Sequence, residues 1–196
     1  IYFINEEFNL TNNLGAHQRQ NAALAAAACR SLGIDDIIIN NALQTFHLPP
    51  CRFETIDTQP LIIIDGAHSP VKVASTAKLI AEKNLKPYIV FGCVANKDAK
   101  KMLAHLIPVA KKIILTRFDV LVRKAANPFV LEKLVPPTKH GGTFLDWRDA
   151  LQQAKKMAKK SENIVITGSL FLAGDVRSHW IAPDEILKYR SSFGKK

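Results

Sequence analysis

Leu61-Ile62-Ile63-Ile64-Asp65-Gly66-Ala67-His68-Ser69-Pro70 is the stretch that decides the fold. Four apolar residues, three of them β-branched, run without polar alternation into Asp-Gly. Such a run suits a strand buried on both faces, as in a parallel sheet. Polar groups cluster at its carboxyl end, which is where open α/β sheets bind ligands. Pro70 fits the first turn of a following helix, where its missing N–H costs nothing. Asp65 and His68 are thereby expected at a strand-to-helix junction, beside helix N–H groups able to receive an anion.

Downstream the chain alternates in the same way. Strands are expected at residues 88–91, 112–115, 143–145 and 163–167. Helices are expected over residues 71–82, after Asp98, over 127–134, and after Asp146. Asp98, Asn127 and Asp146 are suitable N-caps, and Met102, Leu103, Leu106 and Ile107 fall on one helical face. The pattern predicts an α/β fold, with a mainly parallel sheet and helices on both faces. Right-handed crossovers would gather the strand carboxyl ends on one rim. That rim would hold residues 65–68, 92–97, 116–118 and 168–170.

Upstream the character differs. Residues 2–4 are a possible strand, 8–10 a weaker one, and 11–15 a turn-rich link. Residues 21–32 are dominated by alanine, the best helix former, with Gly33 as a C-terminal stop. A second short helix is expected from Asp35 or Asp36 to Phe46, stopped by Leu48-Pro49-Pro50. This portion is too small to hold a core alone. The expectation is therefore that residues 1–49 are the tail of another domain and residues 50–196 a domain of their own. The chain begins with Ile1, and Glu6 and Glu7 argue against a signal peptide, so an internal cut in a longer protein is expected.

Composition narrows the class. No apolar run approaches the roughly 18 residues of a membrane span, so no membrane partner is expected. The three cysteines, Cys29, Cys51 and Cys93, show no metal-ligand spacing and read as reduced, small apolar residues of a cytoplasmic protein. The formal net charge of +10 permits an anionic partner. Much of the excess sits in lysine pairs such as Lys100-Lys101 and Lys155-Lys156, on helix faces with few interleaved aromatics, so no nucleic-acid partner is expected.

The expected rim carries an acid (Asp65), an imidazole (His68), an ammonium (Lys97), hydroxyls (Ser69, Ser169) and guanidinium groups (Arg117, with Arg52 just before the first strong strand). No Gly-x-x-x-x-Gly-Lys-Ser/Thr loop, Gly-x-Gly-x-x-Gly fingerprint or Gly-x-Ser-x-Gly elbow is present. The six histidines are scattered, with no helical metal pair. The residues thus describe half of an anion or nucleotide site. Each also has a plain structural reading: Asp65 and Ser169 as helix or turn caps, His68 as a hydrogen-bonded turn residue, Arg52 as an ion pair with Glu54, Lys97 as a solvated loop lysine.

Taken together, the pieces resemble a family. Gly15-Ala16-His17-Gln18-Arg19-Gln20-Asn21-Ala22, Pro50-Cys51-Arg52-Phe53-Glu54, Asp65-Gly66-Ala67-His68-Ser69-Pro70 and Thr167-Gly168-Ser169-Leu170-Phe171 are similar, in order and spacing, to folylpolyglutamate synthase and dihydrofolate synthase of the Mur ligase superfamily. Phe91-Gly92-Cys93-Val94-Ala95-Asn96-Lys97-Asp98 and Gly174-Asp175-Val176-Arg177 resemble two further segments of that family. The resemblance implies a Rossmann-like C-terminal domain, preceded by the end of the central ATP-binding domain. It implies an enzyme that uses ATP and Mg2+ to join L-glutamate to folate or dihydropteroate through an acyl phosphate. Asn21, Arg52 and Asp65 match positions that contact ATP. His68 and Ser169 lie where the incoming amino acid is placed, His68 as the catalytic candidate, and Lys97 would help hold a glutamate carboxylate. The family usually has Asn where Ser69 stands. Its phosphate loop, metal ligands and modified lysine belong to an N-terminal domain that these residues do not match, so the 196 residues alone are expected to be inactive. The alternatives left open are a Mur-type ligase acting on a cell-wall precursor, and a non-catalytic basic α/β module binding nucleic acid or a protein partner.

Overall fold

The computed structural model of the chain describes residues 16–189. The strands expected at residues 2–4 and 8–10, and the turn at 11–15, lie outside them. The chain divides into two compact units between Leu48 and Pro49.

The first unit contributes two helices, α1 (Ala16–Ser31) and α2 (Asp36–Thr45). Asp35 caps α2, its carboxylate accepting the Ile37 N–H at 2.7 Å, which satisfies a donor that the helix cannot. Ala23, Ala26 and Ile39 are buried, while Leu24, Leu32, Ile37 and Ile38 are exposed. Two helices with so little buried apolar surface do not make a core of their own.

The second unit is a six-stranded sheet in the order β1-β2-β6-β3-β4-β5. Its elements in chain order are β1 (Glu54–Thr58), β2 (Leu61–Ile64), α3 (Pro70–Glu82), β3 (Tyr88–Phe91), α4 (Ala99–Leu106), β4 (Lys112–Leu115), α5 (Pro128–Glu132), β5 (His140–Thr143), α6 (Trp147–Met157), β6 (Asn163–Thr167), α7 (Leu170–Arg177) and α8 (Pro183–Tyr189). Strands β2, β6, β3, β4 and β5 run parallel, and β1 pairs antiparallel to β2 at the edge. The expected mainly parallel α/β fold is what the chain adopts.

The strands are apolar throughout because both faces are covered. Ile63, Ile89, Phe91, Ile113, Leu115 and Val165 pack with Val73, Ile80, Met102, Leu103, Leu106 and Leu131 from α3, α4 and α5. Ile62, Ile64, Val90, Ile114, Ile164 and Ile166 pack with Trp147, Ala150, Leu151, Ala154, Leu172 and Val176 from α6 and α7. Alternate strand residues thus feed opposite faces, as the pleat requires. The chain leaves β2, skips one position to β3, proceeds outward to β5, then returns over the other face so that β6 fills the gap. This reversal puts the carboxyl ends of β2, β6 and β3 at a topological switch point, the place where open α/β sheets hold ligands.

Three details differ from the sequence expectation. The edge strand β1 was not foreseen, because Glu-Thr-Ile-Asp-Thr is too polar to read as a buried strand; its register slips between Thr55 and Asp57, as edge strands tolerate. The last parallel strand is not at residues 143–145 but at His140–Thr143, where Gly141 and Gly142 disguise it as a turn. Helix α7 interrupts its own pattern with Gly174 yet forms, started by Ser169.

Gly168 closes the β6 end at φ +106°, a backbone region that favours glycine. A Cβ there would lie 2.6 Å from the Phe91 ring and 2.7 Å from the Gly92 carbonyl oxygen. We therefore expect Gly168→Ala to lower stability by about 2 kcal/mol or more, read as a shift of the urea midpoint. An unchanged midpoint would contradict this packing.

Candidate functional site

A cavity of about 350 Å3 opens at the switch point, lined by His68, Val94, Asn96, Lys97, Arg123, Ser169, Leu170 and Phe171. It draws on the loops after β2, β3, β4 and β6, so four separated stretches of sequence meet there. The structure brings together His68, Lys97 and Ser169, all three expected glutamate residues. Arg123 was not singled out in the sequence; it sits in the long loop after β4, and the one available signal was a cation in a loop on the ligand-binding rim. Among the described residues, the side chains of Lys97 and Arg123 have no hydrogen bond or carboxylate partner.

The polar groups are oriented by local backbone rules. The His68 Nδ1 lies 2.8 Å from the Gly66 carbonyl oxygen. A carbonyl can only accept, so Nδ1 carries the proton and Nε2 of the neutral ring keeps its lone pair. Lys72 Nζ is 3.4 Å from that Nε2. Ser69 serves as N-cap of α3 and accepts from the Lys72 N–H at 3.5 Å. Ser169 is fully buried and caps α7, its oxygen accepting the Phe171 N–H at 3.1 Å. Among the described residues the Ser169 hydroxyl proton has no acceptor. Ser169 thus takes its cap reading, and the cap and the cavity wall are the same side chain; the cap role of Ser69 was not read from the sequence.

Arg52 and Asp65 form a second constellation beside the cavity. Asp65 is buried and accepts three hydrogen bonds: from Phe53 N at 3.0 Å, Ala67 N at 3.0 Å and Thr76 Oγ1 at 2.8 Å. Cys51 and Phe53, on either side of Arg52, both have left-handed backbones at φ 59° and 50°. Each such non-glycine residue costs about 1–2 kcal/mol. The turn is nevertheless held, because Phe53 N donates to Asp65, Cys51 N donates to Glu54 Oε2 at 2.8 Å, and Gly66 N donates to the Cys51 carbonyl at 2.7 Å. Gly66 makes this possible: a Cβ there would stand 3.0 Å from an Arg52 guanidinium nitrogen and 2.6 Å from Leu170. Arg52 does not pair with Glu54, as its plain structural reading had it. Glu54 instead pairs with the buried Arg177, at 3.1 Å and 3.0 Å from its two oxygens to Arg177 Nε. Arg52 is half-buried, and among the described residues its guanidinium has no hydrogen bond or ion pair.

The other candidates lie elsewhere. Asn21 belongs to the first unit, on α1, where its side-chain N–H donates to Gln18 Oε1 at 3.1 Å. Arg117 is not part of the cavity at the switch point; it donates to the Leu145 carbonyl at 3.3 Å and lines a smaller cleft with Asp119, Asp146 and Arg148. No helix among the described residues is long and apolar enough to cross a membrane. Nor does any cluster of three or more His, Cys, Asp or Glu side chains that could hold a metal occur among them.

Comparison with known proteins gives the geometry a family. The model of the Mur ligase glutamate ligase domain matches residues 51–170. A probable bifunctional folylpolyglutamate synthase/dihydropteroate synthase of Haloferax volcanii is 29% identical over 85% of this chain and 20% of its own length. A UDP-N-acetylmuramoyl-L-alanyl-D-glutamate–2,6-diaminopimelate ligase of Geobacillus thermodenitrificans is 28% identical over 81% of this chain and 34% of its own. Among solved structures, Mycobacterium tuberculosis folylpolyglutamate synthase complexed with ADP superimposes with a TM-score of 0.78 at 25% identity, over 85% of this chain and 40% of that one. The chain therefore spans between a fifth and two fifths of the length of these relatives.

The two thiols flanking the site are held neutral. Burial pushes the Cys93 thiol up from its ordinary 9.0 to about 11; burial first, then the Glu54 carboxylate, pushes Cys51 to about 11 against the pull of Arg177 and Arg52. A thiol whose pKa rises on folding favours the folded state below the unfolded value. That contribution is lost as pH climbs from about 9 toward about 11. We expect the wild-type urea midpoint to fall across this window more steeply than that of Cys93→Ala, by up to about 1.4 kcal/mol per pH unit. Parallel profiles would contradict the burial of Cys93.

Proposed function

The chain belongs to the Mur ligase family through its glutamate ligase domain, and on that premise we propose that it is the C-terminal portion of an ATP-dependent ligase that joins L-glutamate to folate or dihydropteroate. Residues 1–49 are then the tail of the central ATP-binding domain, and residues 50–196 the Rossmann-like C-terminal domain, in a cytoplasmic enzyme. The observation that carries the reading is the cavity at the switch point. Its roughly 350 Å3 and its two cations without carboxylate partners, Lys97 and Arg123, suit a small dicarboxylate. Both cations line the cavity where four loops converge, without carboxylate partners among the described residues.

Glutamate brings two carboxylates and one amine. Lys97 and Arg123 would take the carboxylates, the guanidinium offering paired donors. The Ser169 hydroxyl would donate to an oxygen at the base of the cavity. The amine must lose a proton before it can attack; His68 Nε2 would be the acceptor, once Lys72 Nζ, 3.4 Å away, gives way to the incoming amine. Asn21, Arg52 and Asp65 are proposed for the nucleotide. An unpaired, half-buried guanidinium on a strained turn fits a phosphate, and Asp65 has acceptor capacity left for a ribose hydroxyl after its three internal bonds. ATP supplies the phosphoryl group that activates the acceptor carboxylate. The Mg2+ that this chemistry uses finds no ligand cluster among the described residues, and its ligands are assigned to the N-terminal domain of the enzyme.

Folate is favoured over a cell-wall acceptor by Arg52-Phe53-Glu54 ahead of β2 and by His17-Gln18 ahead of Asn21. In the full-length enzyme, Lys97→Ala and Arg123→Ala are each expected to raise the KM for glutamate about 10- to 100-fold, the loss of one charged hydrogen bond, with the KM for ATP unchanged. Glutamate KM values within twofold of wild type in both variants would refute the pocket assignment. Glutamate-independent turnover, or activity with only a cell-wall precursor, would refute the folate assignment.

A further inference from the structure

We propose that Glu54 is a positioning residue for Arg52, and that Arg177 holds Glu54 in that role. The inference rests on the reading of Arg52 as a phosphate contact. Cys51 and Phe53 take left-handed conformations on both sides of Arg52, so the turn does not persist by its own preference. Two carboxylates hold it, one on each flank. Asp65 takes the Phe53 N–H and Glu54 takes the Cys51 N–H. The guanidinium between them is thereby laid across the bare face of Gly66, between the sheet edge and the cavity wall.

Glu54 is also two residues from Arg52, and a loose carboxylate there would compete with phosphate for the guanidinium. Arg177 prevents this. Its Nε meets both Glu54 oxygens at 3.1 Å and 3.0 Å, and its side chain is only 6% exposed. For stability alone, an apolar pair of equal volume would serve as well as a buried ion pair. An apolar pair, however, could not accept the Cys51 N–H, which Glu54 does while its charge is held by Arg177. Arg177 is the last residue of α7, whose first turn, after the Ser169 cap, lines the cavity with Leu170 and Phe171. One helix therefore carries both the cavity wall and the anchor of the phosphate arginine.

The test uses the full-length enzyme, with ATP and glutamate varied separately. Glu54→Gln keeps the side-chain volume but loses the charge and one acceptor oxygen. It is expected to raise the KM for ATP about tenfold and leave the KM for glutamate within twofold. In Arg52→Ala/Glu54→Gln the KM for ATP should equal that of Arg52→Ala alone, because Glu54 acts only through Arg52. A merely structural role would lower Tm and the active fraction with the KM for ATP unchanged, and that result overturns the proposal. So does a double variant whose effects multiply. If Glu54→Gln does not fold, Arg177→Lys, which keeps the cation but removes the Nε–H shared by both Glu54 oxygens, is read by the same ATP KM: a rise is expected, and an unchanged value overturns the proposal. An unchanged KM for ATP in Arg52→Ala overturns the phosphate reading and the positioning inference with it. A raised value there, beside an unchanged one in Glu54→Gln, overturns the positioning inference alone.

Discussion

The Asp65 carboxylate is the constraint on which the site depends. A carboxylate taken out of water is costly unless its oxygens are occupied, and here three donors occupy them. The donors come from the turn ahead of β1, from the backbone two residues beyond Asp65, and from Thr76 in α3. One side chain therefore fixes the angle at which α3 leaves β2 and the distance at which the Arg52 turn approaches. His68 inherits its position from the same junction, because its ring is tied to the carbonyl of Gly66. Disturbing Asp65 would move a helix, a turn and an imidazole together.

A second constraint lies one residue further on. Gly66 has no side chain, so Leu170 and the Arg52 guanidinium can both close on its backbone. Leu170 belongs to the cavity and Arg52 to the strained turn, so the two half-sites share a wall one residue thick. A side chain at Gly66 would therefore press on both at once. The rigid elements β2, β6, α3 and α7 surround the wall on the core side, where Ile62, Ile64, Ile166 and Leu172 are fully buried.

Much of this was legible in the sequence, for a physical reason. Leu61-Ile62-Ile63-Ile64 and Asn163 to Thr167 are doubly covered strands, and double burial leaves a continuous apolar run that local polarity cannot imitate. The caps Asp35, Asp98, Asn127, Asp146 and Ser169 were also readable, because capping is decided within three residues. What escaped depends on distant partners. Glu54 looked like a companion for Arg52 two residues away, yet its partner is Arg177, 123 residues on. Arg123 carried no motif, and only the convergence of loops gives it a place. Strand β5 was displaced because Gly141 is held there by close packing against β4, and Gly142 takes φ +130° beside the Phe144 ring, neither of which local sequence encodes.

The sign of the unpaired charges gives the site its direction. The acids near the rim are occupied: Asp65 and Glu54 inside the fold, by three donors and by Arg177 with the Cys51 N–H, and Asp98 and Asp146 at the surface, by helix N-termini. The cations on the rim are not consumed. Arg52 on one side of Gly66, and Lys97 and Arg123 on the other, have no anionic partner among the described residues. The net charge of +10 is thus not only a solvated surface of lysines. A small part of it is concentrated at the carboxyl ends of β2, β6 and β3, where the topology opens a crevice. Three cations without anionic partners, gathered in two adjoining clusters, make this part of the rim a surface that favours anions.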